Sequence, residues 1–85
     1  MKVNNVIRFM LDARSVSPRR VSAALGKSSE WCRVVAAPTR SPALATVTDV
    51  ADALGYDVVI IDRDSGEIVA RMEATARPAD QTEHR

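Results

Sequence analysis

Residues 21–35 read VSAALGKSSEWCRVV, and this stretch decides the fold. Gly26 separates two short runs of helix-compatible residues. Upstream, Ser17-Pro18 begins the first run, with Ser17 as N-cap and Pro18 at the first helical position, where a missing N–H costs nothing. A helix from Pro18 to Leu25 follows, ended by Gly26 in a left-handed conformation. Downstream, Ser28 is placed to cap a further helix from Ser29 to about Ala36. Helices joined by so short a turn must cross closely, so the crossing needs a small residue, Ala24 or Ser22. Cys32 and Val35 then supply the apolar positions that lock the second helix against the first.

Working outward, Val3, Val6, Ile7, Met10 and Leu11 recur at helical spacing and predict a first helix running to about Arg14, with Phe9 off the apolar stripe. After a loop at Pro38-Thr39-Arg40, Ser41-Pro42 repeats the cap-plus-proline signal. A fourth helix then carries Leu44, Val47, Val50, Ala51 and Leu54 on one face and stops at Gly55. The pattern next turns extended. Tyr56 to Asp62 (YDVVIID) is rich in β-branched residues, Arg63-Asp64-Ser65-Gly66 has turn chemistry, and Glu67 to Met72 (EIVARM) alternates charged with apolar. The expected fold is therefore mostly α, four helices followed by a C-terminal β-hairpin. Residues 1–56 form the helical domain, 57–72 the hairpin, and 73–85, almost without large apolar residues, a disordered tail.

An 85-residue chain with 46% apolar and 27% charged residues is one small domain, and aromatics at 4% leave it a thin aliphatic core. One cysteine, Cys32, and one histidine, His84, exclude an internal disulfide and a Cys/His zinc cluster. They also exclude Ser/His/Asp and Cys/His catalytic arrangements, and three scattered glycines make no phosphate-cradling loop. Asp49 and Asp52, three apart, read as the solvated face of the fourth helix rather than as a carboxylate site with Asp57. No enzyme, metal or cofactor is expected. With no apolar run of membrane-spanning length and no signal-peptide core, the protein is expected to be cytoplasmic. The formal net charge of +1 hides a polar distribution. Residues 1–48 carry eight basic and two acidic groups, a net +6, while residues 49–85 carry four basic and nine acidic groups, a net −5. Such a split points the front half toward a polyanion.

Leu25-Gly26, Ser28, Ser41-Pro42 and Ala53-Leu54-Gly55 follow one another without a gap, and in this the chain resembles the Cro and phage-repressor (Xre) family of helix-turn-helix proteins from about Val3 to Asp57. Three departures stand out. Ser22 replaces the usual alanine, where its hydroxyl could bond back to its own helix; Pro38 stands where glycine commonly ends the recognition helix; Trp31 and Val34 occupy positions that are usually polar. The resemblance implies a repressor-like transcriptional regulator that binds double-stranded DNA at a palindromic operator, with helix 29–36 in the major groove. Ser28, Ser29, Glu30, Arg33 and Val34 would then face base edges: Arg33 to guanine, Glu30 to cytosine N4, Val34 to a thymine methyl. Ser17, Arg19, Arg20, Lys27 and Arg40 would contact phosphates. Trp31 lies on the border between core and groove, either covering the core or meeting the DNA edge. Cys32 is expected to be a buried small hydrophobe.

The hairpin's first strand is apolar on both faces, so Val58, Val59, Ile60 and Ile61 are expected to form the interface of a homodimer. An alternative reading makes the chain an antitoxin-like or adaptor protein, whose acidic rear half binds a toxin-like partner, with or without DNA autoregulation.

Overall fold

The computed structural model describes residues 1–75. A single 3-10 turn, Val3–Asn5, leads into α1 (Val6–Arg14), then α2 (Pro18–Ala24), α3 (Trp31–Val35) and α4 (Leu44–Ala53), followed by β1 (Val58–Ile61) and β2 (Ile68–Met72). Four helices and a C-terminal antiparallel hairpin match the mostly α class expected from the apolar spacing.

α1 packs on α4, and α2 packs on both α3 and α4. The core is the set of side chains these helices turn inward: Ile7, Met10 and Leu11 from α1, Val21 from α2, Cys32 from α3 with Ala36 just beyond it, and Val47, Val50 and Ala51 from α4 with Leu54. This is the 3.6-residue stripe made physical. Phe9 falls off it and is 52% exposed.

All three longer helices end the same way. In α2 the Lys27 N–H reaches Ser22 O at 2.8 Å and Gly26 N–H reaches Ala23 O at 3.1 Å; in α4, Tyr56 and Gly55 do the same to Ala51 and Asp52. The pivot of this closure must be left-handed, and Gly26 (φ 70°) and Gly55 (φ 82°) provide it without steric cost. α1 closes on Ser15 instead, at φ 55°, a conformation the sequence did not signal. Ser17 caps α2 as expected, its Oγ accepting from Arg20 N–H at 3.3 Å.

Several boundaries differ from the sequence expectation. α1 proper begins at Val6, because Val3–Asn5 tighten into a 3-10 turn that leaves Val3 exposed. α2 stops at Ala24, with Leu25 already in the cap. α4 begins at Leu44, not after Ser41-Pro42: Ala43 is extended (ψ 154°), and residues 41–43 carry the chain across from α3. In the first turn of α4, Leu44 projects past the core and is 55% exposed, so it does not join the apolar face assigned to it.

The largest correction concerns α3, which runs from Trp31 to Val35 rather than 29–36, with no side-chain cap from Ser28. In a helix begun at Ser29 the Cys32 N–H would go to Ser28 O. Here it goes to the buried Ser22 Oγ, 2.9 Å away on α2, and Ser28 O is taken by Trp31 N–H in a four-residue turn. Ser22 thus caps a neighbouring helix instead of bonding back to its own. Ser22→Ala is expected to cost about 1–3 kcal/mol by leaving a buried N–H unsatisfied, lowering Tm by roughly 4–8 °C per kcal/mol in a domain of this size. A calorimetric Tm equal to that of the wild type would contradict this role.

β1 and β2 pair Val58↔Met72, Val59↔Arg71, Ile60↔Ala70 and Ile61↔Ile68, which leaves Val69 as the extra residue of a bulge. The connecting turn is held by Asp62, whose carboxylate accepts from Asp64 N–H (2.8 Å) and Ser65 N–H (3.2 Å). Beyond β2, Thr75 folds back to α4. Its N–H and hydroxyl donate to the two carboxylate oxygens of Asp49, at 2.7 and 2.6 Å. The remainder of the expected tail, 76–85, lies outside the described residues.

Candidate nucleic-acid interface

Between Asp12 and Asp49 the chain has one acidic residue, Glu30, and six basic ones. The structure separates those six by use. Arg14 is taken up in the fold: its Nε donates to Leu54 O (3.0 Å), its Nη2 to Gly55 O (3.4 Å), and its guanidinium stacks 4.1 Å from the Tyr56 ring centroid. It neutralises the unpaired carbonyls at the end of α4, where a cation is favoured. Arg19, Arg20, Lys27 and Arg40 are exposed, and no ion pair among the described residues holds them.

α3 and the turn before it present Ser28, Ser29, Glu30 and Arg33, all exposed, with Val34 beside them at 37% exposure. Ser28, Ser29 and Glu30 lie in the turn and Arg33 and Val34 on the helix, so these five are not one helical face. Glu30 and Arg33 are brought together, joined by a salt bridge between Oε1 and Nε. Each thereby occupies the group the other would offer to a ligand. Being exposed, the pair contributes little to stability and can open.

Trp31 is half-buried and packs on the core, while its outer ring face meets Lys27, whose Nζ sits 5.4 Å from the ring centroid. It therefore does cover the core, and it also holds a cation over its exposed side. Cys32 is fully buried, and that burial raises its thiol pKa, with the Arg8 charge acting the other way. A buried thiol so shifted is a packing group.

Ser17 sits at the start of α2, its Oγ committed to the cap. The turn after α3 is anchored by Asn4, whose Nδ2 donates to Pro38 O at 3.2 Å, which ties the loop carrying Arg40 to the N-terminal turn. In the hairpin the four residues expected at a dimer interface divide. Val58 packs on the helical core and Val59 is half-buried, while Ile60 and Ile61 stand 52% and 54% exposed.

Two acids of the rear half are engaged. Asp49 holds Thr75, and Asp57 pairs with Arg71 at 3.2 Å. A cavity of about 270 Å³ beside them is lined by Asp52, Tyr56, Asp57 and Arg71 among others. Among the described residues no group of three His, Cys, Asp or Glu side chains is placed to hold a metal. No helix of the described residues is long and apolar enough to cross a membrane.

Three features escaped the sequence. The sequence offers Ser22 beside Ala24 as a crossing residue, but the bond from Cys32 N–H to Ser22 depends on how the two helices meet. Arg14 is one basic group among eight in the front half of the sequence, and only the arrival of α4 beside it reveals its use. The Asp49–Thr75 contact spans 26 residues and leaves no local signature. No protein-family model, curated protein or solved structure matches this chain.

Proposed function

We propose that this protein is a sequence-specific double-stranded DNA-binding protein, a small repressor-like regulator of the helix-turn-helix kind, with α3 and its leading turn as the element that meets the bases. The observation that carries this reading is the combination at α2 and α3. A short helix is fixed to its neighbour by a buried hydrogen bond, Arg33 on it and Ser28, Ser29 and Glu30 in the turn before it stay polar and accessible, and four exposed cations outside any described ion pair flank it in the sequence. A rigid presenting element surrounded by unneutralised positive charge is what a duplex requires, because phosphate contacts orient the protein and base-edge contacts give it specificity.

The roles follow from the surroundings of each residue. Arg19, Arg20, Lys27 and Arg40 meet phosphates, and Ser17, whose hydroxyl already caps α2, fixes the backbone beside Arg19 and Arg20. Ser28 and Ser29 offer hydroxyls to base edges or adjacent phosphates. Arg33 leaves Glu30 for a guanine, Glu30 becomes available to a cytosine amino group, and Val34 meets a thymine methyl. Lys27 over Trp31 brings a cation to the aromatic edge of the same surface.

Salt dependence tests the phosphate assignment. Alanine substitution of Arg19, Arg20, Lys27 or Arg40 is expected to weaken binding to all duplexes alike and to reduce the slope of log K against log salt by about 1 for each residue removed. Fluorescence titration over a salt series reads this directly. Four variants with wild-type slopes would refute the assignment.

A further inference from the structure

The hairpin ends in two unequal edges. β2 is interrupted by the bulge at Val69, carries Arg71, and runs on into the segment that Thr75 fastens to α4. Bulges and charged side chains are how an edge strand is closed to further pairing. β1 has none of these. It is four consecutive β-branched aliphatics, Val58-Val59-Ile60-Ile61, without bulge, proline or charge, and two of the four are more than half exposed.

We propose that the free edge of β1 pairs antiparallel with β1 of a second copy of this chain, about a two-fold axis at Ile60, to make one four-stranded sheet. Backbone parity permits it. Asp62 donates its N–H to Glu67 O, toward β2, so along β1 the alternate residues Val59 and Ile61 turn their backbone groups outward. A two-fold axis normal to the sheet pairs residues of like parity, and centring it on Ile60 sets Val59 opposite Ile61 of the partner subunit, two outward-facing residues that complete each other's hydrogen bonds.

Charge then selects this register from its neighbour. Centred on Ile60, each end of the pairing brings Asp57, just before β1, nearest Arg63 of the partner subunit in the turn that follows β1, adding a second cation to a carboxylate that Arg71 already meets at 3.2 Å. Centred on Val59, Asp57 would face an isoleucine and Asp62 a tyrosine, with no such complement. Pairing along one edge of this length buries less than the roughly 800 Å² per partner of a standard interface. The expected dimer therefore forms in the micromolar range rather than being obligate.

Sedimentation of the full chain without DNA tests the association, and oxidative cross-linking tests the register. Wild type is expected to pass from monomer to dimer between about 1 and 100 μM, and Ile60→Lys, which sets two ammonium groups against each other at the axis, to raise the dissociation constant at least about tenfold. Ile60 is exposed, so the variant should fold, and its circular dichroism checks this. In the antiparallel pair the two Cα atoms at the axis lie about 4.5 Å apart, within disulfide range. Ile60→Cys is thus expected to give covalent dimer with diamide far faster than Val69→Cys, the native Cys32 thiol being buried in both. A wild type that stays monomeric at about 100 μM would overturn the proposal, as would faster cross-linking through Val69→Cys. Neither readout involves DNA, so failure here is distinct from failure of the DNA-binding reading.

Discussion

Leu11→Ala is expected to remove about 2–5 kcal/mol of folding stability, the range for emptying a leucine-sized site in a packed core. Leu11 is 1% exposed and sits between Ile7 and Met10 of α1 and the Val50 face of α4. Phe9, the one large ring on the same helix, lies outside the core and does not fill the vacated space. A domain of this length has roughly 4–13 kcal/mol of stability in all, so the loss is a large share of the total. Phe9→Ala, in the same helix and bigger by volume, is expected to change stability by no more than about 0.5 kcal/mol because the ring is already half in water. Urea unfolding of the two variants checks both. Equal losses would mean that α1 packs through a different face.

Arg33→Ala is expected to abolish discrimination at one base position of the bound site, a loss of about 1–3 kcal/mol, or roughly 5- to 150-fold, against the best competing base. Binding to unselected duplex should weaken far less, since one of several phosphate-seeking cations is lost. The Glu30–Arg33 salt bridge makes the prediction sharper. Glu30→Ala removes a carboxylate repelled by phosphate, so binding to unselected duplex should strengthen, while preference at the cytosine assigned to Glu30 is lost and Arg33 goes on reading its base. Competition titrations with single-base variants of the bound site measure both effects. Unchanged discrimination at every position in Arg33→Ala would remove this residue from the reading surface.

Much of the helical architecture was legible in the sequence because it rests on local chemistry. The stripe through Ile7, Met10 and Leu11, the Ser17 cap and the left-handed pivots at Gly26 and Gly55 each need only neighbours a few residues away. What eluded the sequence depends on elements meeting. α3 is shorter than its residues suggest because a hydroxyl on α2 diverts its Cys32 N–H, and a helical propensity cannot register a bond from ten residues away. Ser41-Pro42 carries a valid helix-start signal, yet the chain uses those residues to travel between α3 and α4. The candidate site divides in the same manner. Exposure of Ser28, Ser29, Arg33 and the flanking cations follows from their chemistry, and Glu30 and Arg33 pair across only three residues, whereas the employment of Arg14 at the end of α4 is visible only once the helices are in place.

The most direct measurement is selection of the wild-type protein against a pool of random-sequence duplexes at physiological salt, followed by sequencing of the retained DNA. The expected result is enrichment of a defined motif whose preference is altered in the Ser29→Ala and Arg33→Ala proteins, with binding that falls steeply as salt is raised. Retention of no sequence above the starting pool, with only weak salt-sensitive binding, would contradict the account and leave the basic surface around α2 and α3 without a sequence-reading role.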